Sequence, residues 1–175
     1  MTEVVKPAAF AQDAPWDHAN NPKPEKKEAE IEGVIIETLV RHKDDRGNLV
    51  ELLTARDGLS HPIVHVYSVN CEPGSIRAWV YHKKQRDRLT FIHGEFLIVL
   101  YDIREDSPTR GQLIQIRAGL ENPIRLTLPT YVVHGVQNIG NDMATFVNLP
   151  TEVYDLENPD KYRILHPSAE VPFQF

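Results

Sequence analysis

Two stretches, GSIRAWVYHKKQRDRLTFIHG (residues 74–94) and LPTYVVHG (residues 128–135), hold the residue types that do chemistry. His82, Asp87 and His134 have the composition of a two-histidine, one-carboxylate site, suited to a divalent cation or to proton movement. Residues two apart in a strand share a face, so His82 lies on the side of Val80, about 7 Å further along. If Val80 lines a cavity, His82 lines it too.

These groups need strands to position them. From Ile31 onward the chain is a series of short apolar runs bounded by Gly, Pro, Asn or Asp. We read GVIIETLVRH, NLVELLT, PIVHVYSVN, SIRAWVYH, RLTFIHGEFLIVLYDI, GQLIQIRA, PIRLTLP, TYVVHGVQNI and MATFVNL as strands, rich in β-branched and aromatic residues. No window longer than about ten residues has a helical stripe, although DGLS and ENPDKY each have room for one turn. Many short strands without alternating helices predict an antiparallel sandwich or barrel, with one ligand cavity. Residues 1–30 hold four prolines, many charges and no sustained periodicity, and are expected to form a flexible or loosely docked arm in which Trp16 packs somewhere.

Composition narrows the function. The 175 residues suffice for one domain with a real core, and 41% apolar with 25% charged residues is ordinary for a soluble protein. A formal charge of −6 argues against a nucleic-acid partner but leaves room for one small phosphorylated ligand. The one cysteine, Cys71, excludes an internal disulfide and a multi-cysteine zinc site. No apolar run is long enough to span a membrane, and the opening residues lack a signal-peptide pattern, so a cytoplasmic location is expected.

The spacing from Gly74 through Val80, His82 and Asp87 to Gly94, followed by Pro129, Tyr131, His134 and Asn138, resembles the paired motifs of metal-binding cupin barrels. It departs from them at Val80, where the first histidine belongs, and at Asp87, where the pattern has glutamate.

A second resemblance is longer. DIREDSPTRG (residues 102–111) resembles the D-I-R-x-x-S-P-T-x-G signature of the dTDP-4-dehydrorhamnose 3,5-epimerase family. DDRGNLVEL, GSIRA, LPTYVVHG and the tail YRILHPSAEVPFQF resemble further family segments in the family's order, over roughly residues 31–175. The resemblance implies an all-β cupin jelly-roll domain at 31–175 and a homodimer. The implied ligand is a dTDP-4-keto-6-deoxy sugar, with no cofactor. By the same resemblance Arg46 and Glu51 would contact the nucleotide, Asn70 would lie near it, and Arg77 would face the diphosphate. A guanidinium pairs two phosphate oxygens at once.

Epimerisation beside a ketone needs a base, a cation or donor for the enolate, and an acid on the opposite face. The family's base histidine falls at Val80, its partner carboxylate near Ser168 and its acid tyrosine at Asn148. The enolate-stabilising lysine falls at Arg88 or Asp87, and a later family tyrosine is matched by Tyr154. The expected catalytic set is therefore His82, His134 and Tyr154, with Arg88 also facing enolate or phosphate. Three functions stay open: a sugar-nucleotide epimerase or isomerase with unusual groups, a non-catalytic nucleotide-sugar binder, and a metal-dependent cupin using His82, Asp87 and His134.

Overall fold

The computed structural model describes residues 15, 17, 22–56 and 58–175; Trp16 lies outside them. Thirteen strands run in chain order among these residues: β1 (Glu25–Glu28), β2 (Ile35–Thr38), β3 (Arg41–Asp44), β4 (Gly47–Val50), β5 (Tyr67–Cys71), β6 (Ile76–Tyr81), β7 (Asp87–His93), β8 (Glu95–Asp102), β9 (Leu113–Gly119), β10 (Ile124–Leu128), β11 (Val132–Asn138), β12 (Ala144–Asn148) and β13 (Tyr162–Arg163). No helix occurs among the described residues.

Two antiparallel sheets face each other. One has the order β1-β2-β10-β7-β12-β5 and the other β13-β6-β11-β8-β9, with β3–β4 a separate hairpin. Alternation along each strand explains the core. Leu89 and Phe91 of β7, Phe146 of β12, and Phe96, Ile98 and Leu100 of β8 meet between the sheets in one buried cluster. The rings of Phe91, Phe96 and Phe146 touch one another, with centroids 5.1–5.8 Å apart. Each such burial contributes roughly 1.5–3 kcal/mol.

A smaller cluster covers the outer face of the second sheet. Trp79 lies there with Val99, Val133 and Val171, and Phe173 and Phe175 pack over it. Gly135 is required by this packing. A Cβ there would come within 2.7 Å of the Ala78 Cβ and 2.8 Å of the Trp79 ring. Gly94, with φ of +74°, closes the tight turn from β7 to β8, where a Cβ would meet Ala144 at 2.3 Å.

Strand pairing begins inside the segment read as an arm. EKKE, residues 25–28, forms the exposed edge strand β1 against β2. Its four charged side chains give no apolar alternation, so the strand is invisible to a hydrophobic pattern, and they also block further pairing at the edge.

Candidate functional site

The site is built around Asp87, the first residue of β7. Asp87, Leu89 and Phe91 point between the sheets, and Asp87 is 3% exposed. From the facing sheet His134 points the same way, as its neighbours Val132 and Val136 do. His82 follows the end of β6. Both Nε2 atoms converge on Asp87 Oδ2, His82 at 3.2 Å and His134 at 3.3 Å. The other carboxylate oxygen, Oδ1, accepts from Gln85 Nε2 at 2.8 Å and Asn148 Nδ2 at 2.9 Å.

The electrostatics follow from these contacts. Burial pushes the Asp87 carboxyl up, but hydrogen bonds and charge from His134 and His82 overcome it and hold the group well below the usual carboxylate range. For His82, burial pulls the pKa down, and Asp87 and Asp160 outweigh that to leave it raised. Its Nδ1 meets the Asp160 carbonyl, so both ring nitrogens face acceptors and the imidazolium form is favoured. Asp160 is itself fixed, its carboxylate accepting the backbone N–H groups of Lys83, Lys84 and Gln85.

Val80 and His134 are register partners across the β6–β11 ladder. A bulge follows, in which Arg77 pairs with Val136. Three residues of β6 thus span two of β11, which keeps both Arg77 and Val80 on the inward face while Trp79 faces out. Arg163 of β13 pairs with Val80, and the intervening Tyr162 stacks on Tyr81 on the outer side. Arg163 therefore shares the inward side. Lys161 is electrostatically coupled to Arg163, Arg77 and Asp87, and burial, Arg163 and Arg77 lower its pKa against the pull of Asp87. Three cations thus gather at the cleft between the β6–β13 edge and β5. Arg77 Nη2 crosses that cleft to donate to the Asn70 carbonyl at 3.1 Å, and the Asn70 side chain accepts from Thr145.

Other expected residues stand elsewhere. Arg88 alternates with Asp87 and points to the opposite face of β7. It is 4% exposed and donates to the carbonyls of Leu149 (2.6 Å), His61 (3.2 Å) and Pro62 (2.9 Å). Its guanidinium pins the 61–62 loop and does not enter the cleft. Arg46 pairs with Asp44 in the β3–β4 turn, and Glu51 with Arg56. That hairpin is tied by Arg41 to Glu121, near the end of β10 opposite to Leu128, the partner of Asp87. This chain does not bring Arg46 or Glu51 to His82 and His134. Tyr154 is half-exposed and couples electrostatically to Tyr67 near the cleft.

Sequence reasoning missed Gln85, Asp160, Lys161 and Tyr67. The alternation of Tyr67, Val69 and Cys71 carries a signal for the face of Tyr67, but its pairing with Asn148 needs the register, which no local pattern carries. The DIREDSPTRG segment turns out to be a stapled loop. Buried Asp102 accepts from Arg104, Ser107 and Thr109, and Arg104 reaches on to the Glu32 carbonyl.

Among the described residues, His82, Asp87 and His134 form a group able to hold a metal ion, with their donor atoms all within 4.8 Å of one another. Two surface cavities lie away from this cluster, one at the β7–β8 turn around His93 and Arg117, the other around Tyr131 and Arg104.

Two facing antiparallel sheets enclosing an acid–histidine cluster define a cupin jelly-roll barrel. The model of the dTDP-4-dehydrorhamnose 3,5-epimerase family matches residues 28–174, and the chain belongs to that family. It is 37% identical over 134 residues to the spore coat polysaccharide biosynthesis protein SpsL of Bacillus subtilis, covering 77% of this chain and 89% of that protein. It is 35% identical over 137 residues to the probable low-salt glycan biosynthesis epimerase Agl13 of Haloferax volcanii, covering 77% and 87%. In fold it is similar to a dTDP sugar isomerase of Desulfovibrio desulfuricans, with a TM-score of 0.77, 24% identity, and 82% and 91% of the two chains covered. A second similar fold is a dTDP-6-deoxy-D-glucose-3,5-epimerase of Legionella pneumophila in complex with dTDP-4-keto-L-rhamnose, with a TM-score of 0.75, 23% identity, and 86% and 82% covered.

Proposed function

We propose that the chain is a sugar-nucleotide epimerase that exchanges a proton beside the ketone of a dTDP-4-keto-6-deoxy sugar. The observation that carries this is the placement of His134 beside Val80, on the same inward face and on the Asp87 carboxylate. An imidazole oriented by a carboxylate is a general base. His134 Nδ1 rests 3.2 Å from the Val132 carbonyl; turned from it toward the substrate, this nitrogen takes the α-proton, the C–H electron pair becomes the enolate, and the His82 imidazolium supplies positive charge for the enolate oxygen. Arg77, Arg163 and Lys161 supply charge for the diphosphate. Gathering three cations in a chain of net charge −6 supports an anionic ligand. A cytoplasmic homodimer belongs to the same reading, and no described helix is long and apolar enough to cross a membrane. The test is incubation with dTDP-4-keto-6-deoxyglucose in D2O. Deuterium at C3 or C5 is expected. Nucleotide binding with no deuterium would make the chain a silent binder.

A second reading has its own observation. Two donors on one cation at about 2.1 Å stand about 3.4 Å apart in tetrahedral geometry, close to the 3.2 and 3.3 Å that separate the two histidines from Asp87 Oδ2. A divalent cation there would act as a Lewis acid toward the ketone oxygen. Elemental analysis of purified protein decides between the two, one equivalent of metal favouring this reading and none excluding it.

A further inference from the structure

We infer that Tyr67 is a catalytic residue of this site, the acid that returns a proton to the substrate carbon on the face opposite His134; the inference rests on the epimerase reading above. Tyr67 opens β5, in register with Asn148 of β12. It shares its face with Val69 and Cys71, which pack into the core between the sheets. Its hydroxyl accepts from Asn148 Nδ2 at 2.9 Å, and the same amide nitrogen donates to Asp87 Oδ1 at 2.9 Å. The phenol is thus bridged by one amide to the carboxylate that holds His134.

Tyr67 and His134 come from different sheets. A sugar ring held between those sheets presents one face to each, as inversion at a carbon requires. Tyr67 as a residue is 39% exposed, so the side chain is not sealed in the core. Burial raises its pKa, the Asn148 bond lowers it, and Asp87 and Tyr154 raise it further. The net rise keeps the phenol protonated at neutral pH, in the form a donor needs. His65 packs edge-on against the ring, centroids 5.4 Å apart, and steadies it.

The step balances without a co-reactant. The α-C–H bond breaks, its proton goes to His134 and its electron pair forms the enolate. The enolate carbon then takes the Tyr67 hydroxyl proton on the other face and the ketone re-forms. The phenolate accepts the Asn148 N–H, then regains a proton from solvent while His134 releases one.

The experiment separates proton removal from inversion. Tyr67→Phe and wild type are incubated with dTDP-4-keto-6-deoxyglucose in D2O, and NMR follows deuterium in recovered substrate and in inverted product. Wild type gives both. The variant is expected to keep deuterium entry into substrate within about threefold, because His134 returns deuterium to the face it deprotonates, while inverted product falls about 100-fold or more. Unchanged inversion, or equal loss of exchange and inversion, would overturn the assignment. Absence of both in wild type overturns the epimerase reading itself, and this assignment with it. Should the Phe variant not fold, 3-fluorotyrosine at position 67 serves instead. Its more acidic phenol is expected to move the alkaline limb of the inversion profile to lower pH, and an unmoved limb would contradict the role.

Discussion

Val80 and His134 face each other across the β6–β11 ladder, side chains on the same inward face. In sequence Val80 fills the slot of the family's base histidine. In the fold an imidazole stands one strand over, held by Asp87 at 3.3 Å. Cross-strand partners have Cβ atoms only about 5 Å apart, so a group on one strand can serve a position vacated on its neighbour. On the epimerase reading proposed above, His134 serves as the base in place of a histidine at Val80.

Asp87 holds the cluster together, so Asp87→Asn is expected to slow α-proton exchange about 100-fold or more. An amide keeps the volume but cannot balance two imidazoles. Exchange measured by NMR checks this, with circular dichroism to show that the variant folds. Near-wild-type exchange would remove Asp87 from the mechanism.

Arg77 and Arg46 make opposite predictions. Arg77 faces the cleft, and Arg77→Ala is expected to weaken binding of thymidine diphosphate about 10- to 100-fold, the worth of a charge-assisted hydrogen bond. In the single chain Arg46 is engaged by Asp44 away from the cleft, and a similar loss in Arg46→Ala would mean that a second copy brings it there. Calorimetric titration gives both constants.

Arg88 is expected to matter for stability alone. Arg88→Met leaves three carbonyl acceptors without their donor, at a cost of about 2–4 kcal/mol. Thermal melts should show the loss while thymidine diphosphate affinity at a folded temperature stays unchanged.

Acid should unfold the protein partly through Asp102. Burial raises this carboxyl, but bonds from Arg104, Ser107 and Thr109 hold it below the ordinary range. A lowered native pKa means that its contribution is complete above the unfolded value of about 4 and is lost as pH falls below it. Stability measured by urea titration should drop with acidification in wild type and less steeply in Asp102→Asn, which starts less stable. Parallel curves would contradict this.

The strands were legible because short runs rich in β-branched and aromatic residues, such as FLIVLYDI, are bounded by turn residues. The histidine–carboxylate set was legible too, from residue types and spacing. Arg88 was not, because its neighbour Asp87 takes the cleft and strand parity turns Arg88 to the other face. Tyr67 and Lys161 were hidden for a different reason. Their places depend on which strand lies beside which, a long-range property that the short segments PIVHVYSVN and ENPDKY do not encode locally. The bulge at β6, which lets Arg77 and Val80 share a face, likewise breaks the two-residue rule.

The most direct test is deuterium entry from D2O into dTDP-4-keto-6-deoxyglucose, comparing wild type with His134→Gln. Wild type is expected to label C3 or C5, and the variant, keeping an amide of similar shape but no base, to do so about 100-fold more slowly or worse. Equal labelling by both proteins would contradict the assignment of His134 as the base, and no labelling by wild type would contradict the epimerase reading.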